Sequence, residues 1–363
     1  MIAAGGSGGH IFPAIALGRS LSALDKGVDI MYIGSDKSLD RRIFEKEGVS
    51  FKALSANKLA YKFSPAMIVV FLKLLADMFK ALSIALSYRP DVVVGFGGYV
   101  SFPVIFAAGL LGIPAIVHEQ NVVPGRANKV LFKFVKKIAL SFEETASAAP
   151  GYAGKCVLTG NPIRGDISGS DRSCGMKRFG LDENKFTMLV IGGSQGASFL
   201  NRAFVDALSA IGPEQRRAIQ VIHITGVKDY EWALRAYERL GIDHRVHSFI
   251  DRIEEAYGSA DLVVTRSGAS AIFELASLKK PMILVPYPFA MSHQLDNARA
   301  FSRNGAALLV EEKDLNAAVF SDLLLGLIKD GNKMRGLGEA AYRLAVPQAS
   351  DNLAREVIAL KRR

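Results

Sequence analysis

Apolar and polar positions follow one repeating pattern along the chain. Short runs rich in Val, Ile and Leu alternate with longer segments of helical periodicity. This alternation is typical of parallel sheets, whose strands are buried on both faces and joined by helices. Strands are predicted over 29–34, 91–95, 113–118, 138–142 and 155–159, and again over 186–192, 220–225, 245–249, 261–265, 281–286 and 306–310. We therefore expect an α/β protein with two doubly wound parallel sheets.

A break in both periodicities marks the domain boundary. Residues 160–165 and the polar run to Ser173 fit neither a strand nor a helix and indicate a linker. The chain of 363 residues suits two domains of ordinary size. We expect a first domain over 1–161 and a second over 162–346, with the helix-like segment 347–363 packing back on the first.

Two glycine-rich segments, Gly5-Gly6-Ser7-Gly8-Gly9-His10 and Gly192-Gly193-Ser194-Gln195-Gly196, each follow a predicted strand and precede a predicted helix. Such loops let backbone N–H groups approach a phosphate at a helix N-terminus, which predicts two Rossmann-like halves facing one ligand cleft. An NAD enzyme is disfavoured, because Ile11 stands where G-x-G-x-x-G requires its third glycine. Both segments fit the G-x-S-x-G elbow of serine hydrolases, with Ser7 or Ser194 as nucleophile. A hydrolase is therefore an alternative, weakened by the presence of two copies.

The segment 65–88 is the most apolar helix candidate, and Lys73, Asp77 and Lys80 within it argue against a membrane span. Its apolar face is wider than one core-facing helix needs. Two interpretations stay open: part of the face enters the lipid interface, or a second helix over 102–111 covers it.

Charge separates the two halves of the chain. The net charge is +10, and residues 1–160 carry 18 Lys and Arg against 11 Asp and Glu. This asymmetry favours an anionic membrane surface or a pyrophosphate-bearing partner over nucleic acid. The two cysteines, Cys156 and Cys174, match no metal or disulfide pattern and predict a reduced, cytoplasmic chain without a signal peptide. Only 1–4 precede the first loop, so we expect a short first strand and a natural start slightly upstream, whose addition would raise stability.

Candidate chemistry lies at the predicted carboxyl ends of strands, where α/β proteins bind ligands. His10 at the start of the first helix suits a general base, but its position alone favours a capping or packing histidine, and both interpretations stay open here. Three further segments occupy such ends, namely 95–99, 118–121 and 266–274. His244 and His247 have H-x-x-H spacing, yet no third ligand is evident, so no metal is predicted.

These motifs together resemble the MurG family, transferases that add N-acetylglucosamine to the lipid-linked muramyl intermediate of bacterial peptidoglycan. The resemblance spans nearly the whole chain. It rests on 5–10, Gly95-Phe96-Gly97-Gly98-Tyr99-Val100-Ser101, His118-Glu119-Gln120-Asn121, Gly160-Asn161-Pro162-Ile163-Arg164, 192–196, Phe249-Ile250-Asp251, Arg266-Ser267-Gly268-Ala269, and His293-Gln294 with Asn297-Ala298.

The resemblance implies a GT-B architecture and a UDP-N-acetylglucosamine donor, with no metal or other cofactor required. The backbone of Ile250 would meet the uracil, Glu274 the ribose, and Ser194 with the helix turn after Ala269 the diphosphate. The residues implied in donor binding are Ser7, Gly8, Gly9, Asn121, Arg164, Ser194, Ile250, Ala269, Ser270, Ala271, Ile272, Phe273, Glu274 and Gln294.

By the same resemblance, the acceptor is an undecaprenyl-pyrophosphoryl-N-acetylmuramyl-pentapeptide bound by the first domain. Its pyrophosphate would contact Gly5, Gly6, Gly97, Gly98 and Tyr99. Transfer would invert the anomeric centre, with His10 as the expected base and Glu119 as the second candidate. The protein is then expected at the cytoplasmic face of the bacterial inner membrane, as a peripheral enzyme beside other cell-wall enzymes.

Three other functions are alternatives to this one. A related GT-B enzyme would glycosylate diacylglycerol, an epimerase would act on the same nucleotide sugar, and a non-catalytic scaffold would bind it without turnover. Two positions depart from the family: Ser7 stands where threonine is common, and His293 where some members carry glutamine.

Overall fold

The computed structural model describes residues 1–56, 65–193, 196–289 and 293–361. It divides the chain into two compact units, Met1–Arg164 with Pro347–Arg363, and Gly165–Val346. Each unit contains one sheet in which all the paired strands are parallel. The predicted α/β class with two Rossmann-like parallel-sheet domains is thereby confirmed.

The sheet of the first unit has its first strand in the middle. The strand order is β3-β2-β1-β4-β5-β6-β7. The bounds are β1 Ile2–Ala3, β2 Tyr32–Ser35, β3 Phe51–Leu54, β4 Val93–Gly95, β5 Ala115–Glu119, β6 Lys137–Leu140 and β7 Cys156–Leu158. Strand β3 was not predicted, because it is a half-exposed edge strand in which Lys52 interrupts the apolar run.

Alternate strand residues supply two cores, one on each face of this sheet. Ala3, Ile33 and Val93 join the core on one face. Ile2 and Val94 join the core on the other. The helices that cover the sheet are α1 Gly8–Leu24, α2 Ser38–Lys46, α3 Pro65–Tyr88, α4 Gly98–Leu110 and α5 Arg126–Leu131.

Helix α3 packs along α4 and still presents apolar side chains to solvent. Ile68, Leu72, Phe79 and Leu86 are all more than half exposed. Their spacing of four and seven residues places them on one stripe. Asp77 is buried instead of lying on a polar face. Helix α4 covers part of α3, as one of the two interpretations predicts, and leaves the stripe exposed. Entry of the stripe into the lipid interface stays a prediction. Among the described residues, no helix is both long and apolar enough to cross a bilayer.

The second unit repeats the arrangement, with strand order β10-β9-β8-β11-β12-β13. Its strands are β8 Phe186–Ile191, β9 Ile219–Ile224, β10 Asp243–His247, β11 Leu262–Thr265, β12 Met282–Leu284 and β13 Leu308–Leu309. Its helices are α6 Gly165–Ser168, α7 Arg172–Phe179, α8 Ser198–Ala210, α9 Pro213–Arg217, α10 Tyr230–Leu240, α11 Ile253–Ser259, α12 Ala269–Ser277, α13 His293–Arg303, α14 Ala317–Lys329 and α15 Gly331–Leu344.

The last helix, α16 Ala349–Ala359, returns to the first unit and packs against α1. Leu353 is fully buried there, in the same core as Ile2. The Ser20 hydroxyl donates to Asp351 at 2.5 Å, and Lys137 pairs with Glu356. The first unit is therefore built from both ends of the chain.

We expect Leu353→Ala to lower the stability of the first unit by about 2–5 kcal/mol, the usual cost of a cavity in a closed core. Urea unfolding followed by circular dichroism measures the loss, while fluorescence of Trp232, the single tryptophan, follows the second unit. The exposed neighbour Arg355, replaced by alanine, is the control and should change stability by less than about 0.5 kcal/mol. Equal losses in the two variants would contradict the role assigned to Leu353.

Candidate active site

Both sheets reverse their strand order beside their first strand. In the first unit the reversal lies between β1 and β4, and in the second between β8 and β11. Loops leaving two such strands diverge to opposite faces and open a crevice at the carboxyl edge, where α/β proteins bind ligands. The crevice of the first unit is bordered by loops 4–7 and 96–97, and that of the second by residues 192–193 and 196–197 and by loop 266–268.

His10 lies in the crevice of the first unit. Its Nδ1 atom is 3.2 Å from the Gly5 carbonyl oxygen and 3.3 Å from the Ser7 hydroxyl. Since a carbonyl oxygen only accepts, Nδ1 carries the proton and Nε2 keeps its lone pair. Burial lowers the pKa of His10, while the bond to Gly5 and the charges of Glu119 and Asp40 raise it in part. The imidazole is thus neutral near pH 7, as a base must be.

The first turn of α4 closes against this histidine at Gly98. Gly98 has φ +71°, and a Cβ atom there would lie 3.3 Å from both the Gly5 oxygen and Nδ1 of His10. A side chain at 98 would therefore press on the His10 hydrogen bond and strain the backbone. The Ser101 hydroxyl fastens the turn, donating to the Gly97 and Ala3 carbonyls at 2.7 and 3.1 Å.

Glu119, the second candidate base, is buried and its carboxylate accepts hydrogen bonds on both oxygens. Oε1 accepts from the backbone and side-chain nitrogens of Asn121 at 2.9 and 3.1 Å. Oε2 accepts from the Gly125 backbone at 3.0 Å and from Asn128 Nδ2 at 2.8 Å. The carboxylate thereby holds the loop between β5 and α5. Asn128 was missed by the sequence analysis, because its partner lies nine residues away.

The neighbouring His118 is a structural residue. Its Nε2 donates to the Gly160 carbonyl at 3.0 Å, and Nδ1 accepts from Gln120 at 3.1 Å. Burial lowers the pKa of His118 to about 4. Arg164, at the end of this unit, places its guanidinium 4.6 Å from the centre of the Phe12 ring on α1.

In the second unit, the crevice is bordered by the N-terminus of α12. The Ser267 hydroxyl donates to the Gln294 carbonyl at 2.6 Å, and Asn297 donates to the Ser267 carbonyl at 3.2 Å. The Gln294 side chain in turn accepts from the Tyr287 backbone at 2.9 Å. Glu274, in the second turn of α12, is 5% exposed and so is not the solvated glutamate of an ordinary surface helix.

The second glycine loop lies against the end of β9. At Gly196, φ is +76° and a Cβ atom would come within 2.2 Å of the Thr225 carbonyl oxygen, so only glycine fits. Asn201 braces this contact, donating to the Thr225 oxygen at 2.9 Å and to Asp229 at 2.8 Å. Ser194, the predicted diphosphate contact, lies outside the described residues.

The predicted site residues divide between the two units. The first unit contains Ser7, Gly8, Gly9, His10, Gly97, Gly98, Tyr99, Glu119, Asn121 and Arg164. The second contains Ile250, Ala269, Ser270, Ala271, Ile272, Phe273, Glu274 and Gln294. Ile250 follows edge strand β10, with β9 and β8 between that strand and β11. The sequence analysis also did not identify Asp40, whose carboxylate accepts from the Gly6 N–H in the first glycine loop.

Among the residues that the structure describes, no three His, Cys, Asp or Glu side chains come together in a way that would hold a metal ion. The two histidines of the H-x-x-H segment have other contacts. Nδ1 of His244 bonds to the Ile242 carbonyl at 2.8 Å, and the His247 ring packs against Phe179.

Comparison with known proteins gives the same family for both units. Residues 1–140 match the glycosyltransferase family 28 N-terminal domain, and residues 187–351 match the C-terminal domain of that family. Two curated relatives are each named UDP-N-acetylglucosamine–N-acetylmuramyl-(pentapeptide) pyrophosphoryl-undecaprenol N-acetylglucosamine transferase. The protein from Halothermothrix orenii is 37% identical over 96% of this chain and 95% of its own length. That from Thermodesulfovibrio yellowstonii is 37% identical over 100% and 99%.

Two solved structures are similar to the whole chain. MurG from Acinetobacter baumannii superimposes with a TM-score of 0.77 at 25% identity, over 99% of this chain and 98% of that one. UDP-GlcNAc 2-epimerase from Neisseria meningitidis, bound to UDP-GlcNAc, reaches 0.74 at 11% identity, over 99% of each chain, and shows the fold alone.

The buried His223, which bonds to Asn201 behind the second glycine loop, should make folding stability depend on pH. The His223 ring bonds to Tyr237 at 2.8 Å and to Asn201 at 3.1 Å, and burial lowers the pKa of His223 to about 3. The unfolded chain therefore binds a proton here that the folded chain does not, and stability is lost as pH falls below the ordinary histidine range. Over pH 6 to 4 this site contributes up to about 1.4 kcal/mol per pH unit.

We expect His223→Gln to flatten that dependence in the second unit, since an amide offers the same neighbours a donor and an acceptor without titrating. Urea unfolding followed by Trp232 fluorescence between pH 4.5 and 7.5 measures the slope. A slope in His223→Gln as steep as in the parent chain would contradict this assignment.

Proposed function

The chain belongs to glycosyltransferase family 28, and we infer that it transfers N-acetylglucosamine from UDP-N-acetylglucosamine to undecaprenyl-pyrophosphoryl-N-acetylmuramyl-pentapeptide. The new bond is made to the C4 hydroxyl of the muramyl sugar. The acceptor is known as lipid I and the product as lipid II. The observation that carries this inference is 37% identity over essentially the whole length to transferases of that name. The neutral His10, at the switch point of the first sheet, supplies the base that such a reaction needs.

We propose that the second unit binds the donor. Helices α8 and α12 both begin at its switch point, and neither has an acidic residue in its first turn. Their N-terminal N–H groups and partial positive charge suit a diphosphate and stabilise the charge that develops on the departing UDP. Glu274, buried in α12, is assigned to the ribose hydroxyls, and the backbone of Ile250 to the uracil.

The acceptor is assigned to the first unit. Helices α1 and α4 likewise begin without acidic residues beside the switch point, so their N-termini suit the acceptor pyrophosphate. Gly97 and Gly98 let the backbone of α4 approach this ligand closely. Asn121 and Arg164 lie in the same unit and are assigned to the sugar of the donor during transfer.

In the proposed reaction, the acceptor C4 oxygen attacks the anomeric carbon of N-acetylglucosamine from the face opposite the diphosphate. His10 Nε2 takes the hydroxyl proton as the new C–O bond forms. The bond between the anomeric carbon and the phosphate oxygen breaks, and its electron pair leaves with UDP. The configuration at the anomeric carbon is inverted.

The geometry favours His10 over Glu119 as the base. Both Glu119 oxygens already accept hydrogen bonds from loop groups, so a proton taken up by this carboxylate would compete with a bond that holds the loop. The contacts of Ser7 disfavour a serine hydrolase that uses this residue as nucleophile. The Ser7 hydroxyl faces the nitrogen of His10 that carries the proton, so this nitrogen has no lone pair with which to activate a nucleophile.

We propose that the exposed stripe of α3 rests on the membrane that contains the acceptor. Its apolar side chains lie beside the exposed ammonium groups of Lys73 and Lys80, a combination typical of interfacial helices on anionic lipid. The polyprenyl chain then stays in the bilayer while its head group reaches the first unit. In this proposal the enzyme works peripherally, at the cytoplasmic face of the cell membrane.

Loss of the base is the direct test of the reaction. We expect His10→Ala to lower transfer of labelled N-acetylglucosamine to the detergent-solubilised acceptor by roughly 10²–10⁴-fold, with UDP binding retained. His244→Ala, at a histidine of the second unit outside the proposed site, is the matched control and should keep parental activity. Absence of product from the parent chain would contradict the function, and an active His10→Ala would contradict the base.

Membrane binding has a separate test. We expect the pair Leu72→Ser and Phe79→Ser to weaken binding to vesicles containing phosphatidylglycerol by about 10-fold or more, because two apolar side chains no longer leave water. Val227→Ser, which changes an 84% exposed side chain of the second unit, is the control. Sedimentation of protein with vesicles measures binding, and equal binding by all three proteins would contradict the assignment.

A further inference from the structure

We propose that Asp40 is a positioning residue for the base, acting on His10 through the peptide group that joins Gly5 to Gly6. The inference rests on the function proposed above and adds a residue to it. Asp40 is fully buried in the first turn of α2, so its side chain has no exposed surface for a substrate to contact. Its influence on the reaction is therefore indirect.

The two ends of one peptide group make the connection. The Gly6 N–H donates to both Asp40 oxygens, at 3.0 and 2.9 Å. The carbonyl of the same peptide group, on Gly5, accepts from Nδ1 of His10 at 3.2 Å. A carboxylate, a peptide group and an imidazole thus form one continuous line of hydrogen bonds.

The hydrogen bonds in such a line polarise and strengthen one another. A carboxylate that accepts from the N–H side repels electron density in the peptide group toward the carbonyl oxygen, which makes that oxygen a better acceptor for the imidazole N–H. The Gly5 carbonyl then fixes the proton on Nδ1, orients the ring and favours the imidazolium that forms when Nε2 takes the acceptor proton. No proton leaves His10 toward Asp40. The carboxylate stabilises the developing charge and stays a carboxylate, as in an Asp–His pair with a peptide group between its members.

Asp40 also ties its own loop, and that role has to be separated from the proposed one. Its Oδ2 atom accepts from the Ser35 backbone at 2.9 Å and from the Ser35 hydroxyl at 2.6 Å. The first unit contains a second aspartate, Asp77, that holds a loop in the same way. Asp77, also buried, accepts from the Ser55 backbone and hydroxyl at 2.8 Å and from the Ala56 backbone at 2.9 Å. The Asp77 cluster contains no histidine, so it shows loop tying alone.

The charges around His10 determine what removing Asp40 does. Carboxylates face the ring from two elements, Asp40 from α2 and Glu119 from β5, and both raise the pKa of His10 against the larger effect of burial. Burial, and in smaller part the charge of His10, in turn lowers the pKa of His118, a second titratable ring that is also on β5. Replacing Asp40 by asparagine removes one of the two favourable charges and leaves Glu119 and His118 in place. The pKa of His10 then falls further.

The experiment compares Asp40→Asn with Asp77→Asn, the same substitution in the two matched clusters. We expect Asp40→Asn to lower the plateau of kcat by about 10-fold and to move the acid limb of the pH–rate profile to lower pH by at least about 0.3 unit. The KM for UDP-N-acetylglucosamine should stay within about twofold, because the UDP part of the donor is assigned to the other unit and Asp40 is not among the residues assigned to its sugar. Asp77→Asn should lower the melting temperature comparably and leave the acid limb where it is.

A second measurement needs no substrate. Imidazole ¹⁵N NMR of the intact protein identifies His10, one of six histidines, by the signals that His10→Gln loses. We expect the Nδ1–H tautomer in the parent chain and a lower His10 pKa in Asp40→Asn. Because no transfer is involved, this result stands or falls separately from the proposed function.

Two results would overturn the proposal. One is an Nε2–H tautomer of His10 in the parent chain, which would break the line at its last bond. The other is an Asp40→Asn protein with an unmoved acid limb and an unmoved His10 pKa, whose loss of activity only parallels its loss of stability. In that case Asp40 ties a loop and does nothing more.

Discussion

The position of each unit's first strand determines where everything else lies. Parallel strands cannot be joined by tight turns, so the chain must cross a face of the sheet before each new strand. Strand β1 begins in the middle of its sheet and pairs with both β2 and β4, and β8 does the same between β9 and β11. The crossings on its two sides use opposite faces, and a crevice between them follows from topology alone. Both glycine loops leave their sheets at that point.

Most of the fold could be read from the sequence, because buried parallel strands are nearly continuous apolar runs. The runs that became β8 and β9 were visible for that reason, with bounds within a residue of those observed. Strand β3 was not visible, since an edge strand that faces solvent has no such pattern. The burial of Asp77 was equally hidden, because helical spacing gives the faces of α3 without saying which neighbour lies against each face.

The site was predictable only where residues act close to their own motif. His10 and the glycines around it share one turn of chain, so the contact of His10 with the Gly5 carbonyl is local to one motif. The carboxylates of Asp40 and Glu119 act on backbone groups of other segments, so their roles depend on which loops the sheet brings together. In each case the contribution is similar: a buried acceptor collects the N–H groups of a loop that would otherwise have no partner. The loops at the crevice are thereby held in shape from behind, and their outer surfaces are left to a ligand.

The return of α16 to the first unit has a consequence for the order in which the protein is made. A ribosome completes the whole second unit before it reaches the residues that cover α1. Until then the core that contains Ile2 lacks the side chains of α16, including Leu353. The nascent first unit therefore lacks part of its core while the second unit is being synthesised, and it can be completed only after its neighbour has been made.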